Sequence, residues 1–142
     1  VNKFNLDADK GIILCKAKLT NKKSSVILKL AVDTGASATM VSIEAAMAIG
    51  INPSRSIHSV EVSTASGMIL APIIKIPSFK CFGVEVKNLQ VFCHTLPPQS
   101  PVEGLLGLNF LKDAKVIIDF SRNIIEILIR YGDVPSTSNP LQ

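Results

Sequence analysis

The chain has 142 residues, 47% of them hydrophobic and 18% charged, with a formal net charge of +4. That length allows one domain around one core, and that composition excludes a disordered, collagen-like or coiled-coil chain. Six Phe, one Tyr and no Trp stand beside abundant Ile, Val and Leu, so the apolar stock is mostly branched aliphatic and favours strands.

In chain order, Gly11 to Thr20 reads as a strand, Asn21 to Ser24 as a turn, and Ser25 to Val32 as a second strand with Val26, Leu28, Leu30 and Val32 on one face. The hairpin ends at Asp33, and the loop Asp33-Thr34-Gly35-Ala36-Ser37 follows. Ser42 is placed to cap the longest helix of the chain, whose Ile43, Ala46 and Met47 share a face and whose stop is Gly50. Ser59 to Thr64 and Met68 to Ile76 form a projecting hairpin around the small-residue tip Ala65-Ser66-Gly67, with Pro72 suiting an exposed edge. Short strands at Val84 to Val86 and Leu89 to Cys93 precede the proline loop Thr95 to Ser100. Gly104-Leu105-Leu106-Gly107 leads into a helical turn at Leu108 to Lys112, and Lys115 to Phe120 and Ile124 to Ile129 are the last strands. Residues 1–130 thus read as the folded domain. The polar, proline-bearing stretch 131–142 reads as a flexible tail or linker.

Several function classes drop out on simple grounds. The longest uncharged stretch, Asn88 to Val102, is shorter than the roughly 18 apolar residues of a membrane span, so no membrane span is expected within the chain. Val-Asn-Lys-Phe at the start shows no basic segment before an apolar run, and no signal peptide is expected. Cys15, Cys81 and Cys93 are too scattered for a disulfide framework or a zinc site, which makes a reducing cytoplasm the default. Cys93 beside His94 reads as core packing, and neither a metal nor a cofactor is expected. The lysines crowded into the first thirty residues alternate with apolar residues, as in Lys16-Ala17-Lys18-Leu19, without interleaved aromatics. They read as a solvated strand face and not as a nucleic-acid surface.

Asp33 closes an apolar strand, and Thr34 and Gly35 let the chain turn while the carboxylate stays at the strand tip. Alone, such a turn is common for conformational reasons. Here Leu-Ala-Val-Asp-Thr-Gly-Ala-Ser is followed, beyond a hairpin, by Gly-Leu-Leu-Gly-Leu-Asn-Phe-Leu around Gly107. With these segments the chain resembles the retropepsin-like aspartic proteases, over about residues 10 to 129. The resemblance implies an all-β closed acid-protease barrel with a flap hairpin and one or two short helices.

It further implies that Asp33 is the catalytic aspartate, that the Thr34 hydroxyl braces paired loops across a twofold axis, and that Gly35 leaves room for substrate backbone. Ala36 belongs to the same loop, and Ser37 would hydrogen-bond the carboxylate. Ser63, Thr64, Ala65, Ser66, Gly67 and Met68 would form the flap tip. Pro101, Val102 and Leu105 would line the substrate pockets, with Leu106 and Gly107 behind the site. Viral members usually carry Asp at the position of Ser37 and Arg at that of Leu108, a mutually paired set absent here. The chain therefore looks closer to cellular or bacterial members.

Hydrolysis by carboxylates needs one ionised group to take a proton from water and one protonated group to polarise the carbonyl. No second Asp-Thr/Ser-Gly exists, and Asp119 lacks the following Gly. The second aspartate is therefore expected from a second copy, making a homodimer that acts on a peptide or protein substrate. A catalytically silent dimerisation or peptide-binding domain is the alternative. Serine hydrolysis lacks Gly-x-Ser-x-Gly, and phosphate binding at Gly104 to Gly107 lacks a Gly-Lys-Ser/Thr arrangement.

Overall fold

The computed structural model describes residues 2–9 and 11–129; the expected tail at 131–142 lies outside them. Eleven strands dominate: β1 Asn2–Asn5, β2 Asp7–Asp9, β3 Ile12–Asn21, β4 Ser24–Val32, β5 Met40–Val41, β6 Ser59–Thr64, β7 Gly67–Cys81, β8 Val84–Cys93, β9 Gly104–Leu106, β10 Ala114–Asp119 and β11 Ile124–Ile129. Two short helices, α1 Ile43–Ala48 and α2 Leu108–Leu111, and a 3-10 turn at Pro53–Arg55 complete the set. No helix among the described residues is long and apolar enough to cross a membrane.

Strands β3, β4, β9, β5, β8 and β7 follow one another in the sheet, and β7 pairs back onto β3, so a six-stranded barrel closes and removes its own edges. Alternation explains the inside and the outside. Cys15, Ala17 and Leu19 on β3 and Leu28 and Leu30 on β4 are buried, while Lys16, Lys18, Ile27 and Lys29 between them are exposed. The interior is filled by Leu19, Leu30, Ile76, Phe79 and Leu106, each essentially inaccessible. Cys15 and Cys81 sit together there, and contact with Cys15 followed by burial pushes the Cys81 thiol up.

A separate sheet, β1–β11–β10, packs Ile125 and Ile127 into the same core. Strands β1, β2, β5 and β9 were not expected, being too short to show a period. The hairpin β6–β7 is real, but β7 runs on through Pro72 and Pro77 to Cys81. At Pro77 the β7–β8 ladder skips one pair, because proline has no N–H and the facing Asn88 takes φ 55°, and it then resumes in the same register. The apparent gap between two short strands at Lys87–Asn88 is this local interruption within one strand, β8. The turn between β7 and β8 is Phe82–Gly83, both at positive φ.

Helix α1 begins at Ser42, whose Oγ accepts the Ala45 N–H at 3.1 Å, and stops before Gly50 at φ +81°. Its buried residues are Ala45 and Ala46, whereas Met47, read as sharing a face with Ile43 and Ala46, is 51% exposed. Ile49, just past the helix end, fills the core instead.

Candidate active site

Strand β4 delivers Asp33 to the barrel end, and β9 runs parallel beside it, pairing Ala31 with Leu105 and Val32 with Leu106. On its other side β9 pairs antiparallel with β5, so the strand after the proline loop is wedged between the two arms of the Asp33 loop. The Asp33 N–H donates to the Leu106 carbonyl at 3.0 Å, and the Leu108 N–H donates to the Ala36 carbonyl at 2.8 Å. Both ends of the loop are thereby clamped by one segment.

That crossing requires glycine. A Cβ at Gly107 would lie 2.6 Å from the Ala38 carbonyl carbon and oxygen, and one at Gly104 would lie 2.1 Å from the Met40 carbonyl oxygen. These are backbone atoms, so no rotamer change relieves the clash. Behind the loop, fully buried Thr39 supplies the missing bonds. Its Oγ1 accepts the Gly107 N–H at 3.1 Å and donates to Asn109 Oδ1 at 2.8 Å. The Thr39 N–H also donates to Asn109 Oδ1 at 2.8 Å, and Asn109 Nδ2 donates to the Gln90 carbonyl at 2.7 Å. Loop, α2 and β8 are tied by one polar knot.

The Asp33 carboxylate accepts the Gly35 N–H at 2.9 Å through Oδ1. It lies on the floor of a cleft of about 400 Å³. The loop residues Gly35, Ala36, Ser37 and Ala38 share that floor, β6 supplies Val60 to Ser63 as one wall, and Phe92 and Leu105 close the apolar side. Met40, Ala71 and Phe92 pack beneath it with Val62 against them.

The structure brings together only part of the residues singled out from sequence. Asp33, Gly35, Ala36, Ser37, Ser63 and Leu105 meet at the cleft. Leu106 is buried and Gly107 stands behind the loop, next to Ala36 and Ala38. Thr34 and Ser37 are exposed, and among the described residues it is the Gly35 N–H, not the Ser37 hydroxyl, that bonds Asp33. The hairpin base, not its tip, lines the cleft: Thr64, Ala65, Ser66, Gly67 and Met68 project beyond it, with Thr64 Oγ1 donating to the Gly67 carbonyl at 2.7 Å. Pro101 and Val102 are not among the residues lining this cleft. Val102 packs against Leu14 and Ala31, drawn there because Glu103 N–H bonds the Lys29 carbonyl at 2.7 Å.

Thr39, Asn109 and Gly104 were missed. The available signal was weak: a Thr inside the apolar run Ala38 to Val41 and an Asn two residues after Gly107. Cys93 is buried, and burial pushes its thiol up to about 12, which makes it a core residue.

A closed six-stranded barrel with an Asp-Thr-Gly turn clamped by a Gly-bearing strand is the architecture of a retropepsin-like aspartic protease. Residues 20–113 match the family described as "gag-polyprotein putative aspartyl protease", and the chain belongs to that family. Its fold is similar to that of a retropepsin-like aspartic protease from Rickettsia conorii, at 25% identity and a TM-score of 0.68 over 88% of this chain and 89% of that one. No match is found among curated proteins.

Proposed function

We propose that the chain is an aspartic endopeptidase whose active site is completed by a second copy, with the two Asp33 carboxylates facing each other across a twofold axis. The observation that carries this reading is the position of Asp33, on a loop clamped at both ends by backbone bonds to Leu106 and Leu108 and open to an apolar cleft. The bond from the Gly35 N–H is the ordinary turn bond of an Asp, but a simple turn would need no such clamp. Within one copy the other acidic residue lining the cleft is Glu61. Val62 turns toward Met40 and Phe92, so neighbouring Glu61 lies on the outward side of β6, paired with exposed Leu70. It is badly placed as a partner for Asp33, which is why a second copy is invoked.

In this reading the dyad holds one proton between two carboxylates. The ionised one takes a proton from a water molecule, the resulting hydroxide adds to the peptide carbonyl carbon, and the protonated one gives its proton to the carbonyl oxygen. Collapse of the tetrahedral intermediate breaks the C–N bond, with a proton passing to the leaving amine. The hairpin β6–β7 serves as the flap over the substrate, and Ala36, Ala38, Val62, Phe92 and Leu105 favour apolar side chains beside the scissile bond.

The test is cleavage of an apolar peptide library by the purified protein and by Asp33→Asn. The substitution is isosteric and keeps the acceptor for the Gly35 N–H, so folding persists while hydrolysis falls by several orders of magnitude. Equal cleavage by both proteins overturns the mechanism, and binding without any cleavage by the unsubstituted protein favours the silent peptide-binding domain.

A further inference from the structure

The barrel wall β8–β7–β3–β4 carries on its outer face a charge pattern that the fold leaves unbalanced. Register sets Lys16 directly opposite Lys29 on β4, and Lys18 directly opposite Lys80 on β7. All four are exposed. Like charges directly opposite in an antiparallel pair are destabilising, so two such pairs on adjacent rows are a cost without any structural return. Among the described residues none of the four makes an ion pair.

Two carboxylates bordering this face are already engaged. Glu85, opposite Lys80 on β8, is bound by the Ser78 hydroxyl and by Lys87 Nζ at 3.2 Å, with Lys80 adding a weaker attraction. Glu103 Oε1 accepts the Lys29 N–H at 3.2 Å. Asp7 and Asp9 stand by register across from Leu14 and Ile12, further along β3.

Apolar groups lie among these lysines. Ile27, opposite Lys18, is 64% exposed. Phe4, its ring 5.4 Å from that of Phe82, separates two shallow depressions of about 270 and 290 Å³. The first is rimmed by Lys16 and Lys29, the second by Lys16, Lys18 and Lys80.

We propose that this face docks an acidic segment of another polypeptide, bound extended, with two carboxylates two residues apart and a bulky apolar side chain two residues beyond them on the same face. Lys16 and Lys18 are two residues apart on one strand, about 6.8 Å at the ordinary rise, which is the spacing of side chains i and i+2 on one face of an extended peptide. One carboxylate then meets the Lys16–Lys29 pair and the next meets Lys18–Lys80, while the apolar side chain rests in a depression beside Phe4. A single-stranded nucleic acid would want a row of stacking rings, and Phe4 alone supplies one. The proposal does not depend on the reading of Asp33, since docking needs no cleavage.

The experiment is fluorescence anisotropy of a labelled Phe-Ser-Glu-Ser-Glu peptide with the whole chain, beside the same peptide with Gln for Glu. The acidic peptide binds, the Gln peptide binds at least about tenfold more weakly, and rising salt weakens the first far more than the second. Lys16→Glu and Lys18→Glu each lower affinity about tenfold, and Lys18→Thr lowers it less, whereas Lys115→Glu on the other sheet has no effect. Removing one lysine of an opposed pair also raises the melting temperature, which loss of a merely structural residue would not do. Asp33→Asn binds as tightly as the unsubstituted protein, so failure here and failure of the protease reading are read separately. Equal affinity for the Gln peptide, unchanged binding by both Lys18 variants, or tighter binding to phosphatidylserine vesicles or oligothymidine than to the acidic peptide would each overturn the proposal.

Discussion

Replacing Thr39 by Val removes one hydroxyl and almost nothing else, since the two side chains have nearly the same shape. Thr39 is fully buried, so water cannot enter to substitute. The Gly107 N–H, which donates to Thr39 Oγ1 at 3.1 Å, is left without an acceptor, at about 1 to 3 kcal/mol for a buried orphan. Asn109 Oδ1 loses the hydroxyl donor but keeps the Thr39 N–H at 2.8 Å, so that loss is only about 0.5 to 1.5 kcal/mol. Together the change destabilises the chain by about 1.5 to 4.5 kcal/mol. For a domain between the two size classes usually tabulated, that corresponds to a fall of roughly 5 to 22 °C in Tm. Thr39→Ser keeps the hydroxyl and loses a methyl group, about 1 kcal/mol. Urea unfolding of the three proteins, with the slope m checked for constancy, measures the differences. If Val proves no worse than Ser, the hydroxyl does not hold the crossing of β9 behind the Asp33 loop, and the account of the polar knot is wrong.

Gly104→Ala places a Cβ 2.1 Å from the Met40 carbonyl oxygen and destabilises by at least about 3 kcal/mol, the upper end of overpacking, read from the urea midpoint. Asp119 is held well below the usual carboxylate range by hydrogen bonds from the Ser121 hydroxyl and from the Arg122 side chain and N–H. A depressed value gives stability that is present above the unfolded-state value, about 3.9, and is lost as pH falls through the folded one. Asp119→Asn therefore flattens the acid limb of a Tm-against-pH curve below about pH 4 and leaves its shape above pH 5 unchanged. Thr34→Val, on the proposed dimer, removes one reciprocal hydrogen bond per copy, about 0.5 to 1.5 kcal/mol each. Sedimentation equilibrium then shows a dimer dissociation constant raised about 5- to 150-fold, and an unchanged constant places the axis elsewhere.

What could be read from the residues was whatever is local or periodic. The alternation along β3 and β4, the Asp33 turn, the Ser42 cap and the Gly50 stop each depend on a few neighbouring residues, and each stands where the pattern put it. What escaped depends on partners far away in sequence. Nothing in Asn2–Asn5 announces that it pairs with β11, because four residues carry no usable period. Thr39 and Asn109 become a unit only once β9 brings α2 behind the loop. The strand expected to end at Ile76 runs on to Cys81, because Ile76 and Phe79, flanking Pro77, are both fully buried, and that burial carries β7 through the lost hydrogen bond. Val102 looked like pocket wall from its place before Leu105, but the bond between Glu103 and Lys29 turns it toward Leu14.

The floor and the roof of the cleft are therefore held by different means. Asp33 stands on a loop whose two arms are each bonded to β9 and whose back is tied by Thr39 to α2 and β8. That floor moves only if several buried bonds break together. The hairpin above has far less. Beyond Ala71, where it leaves the barrel, β6 and β7 pair only with each other, and Met68 and Leu70 are 61% and 69% exposed. A two-stranded ladder anchored mainly through Val62 is marginal by itself. On the proposed endopeptidase reading this is the useful division: the carboxylate would hold its position through the reaction, while the hairpin would part to admit a chain and close over it. It also makes Thr39→Val a test of the floor alone, because no bond it breaks lies in the hairpin.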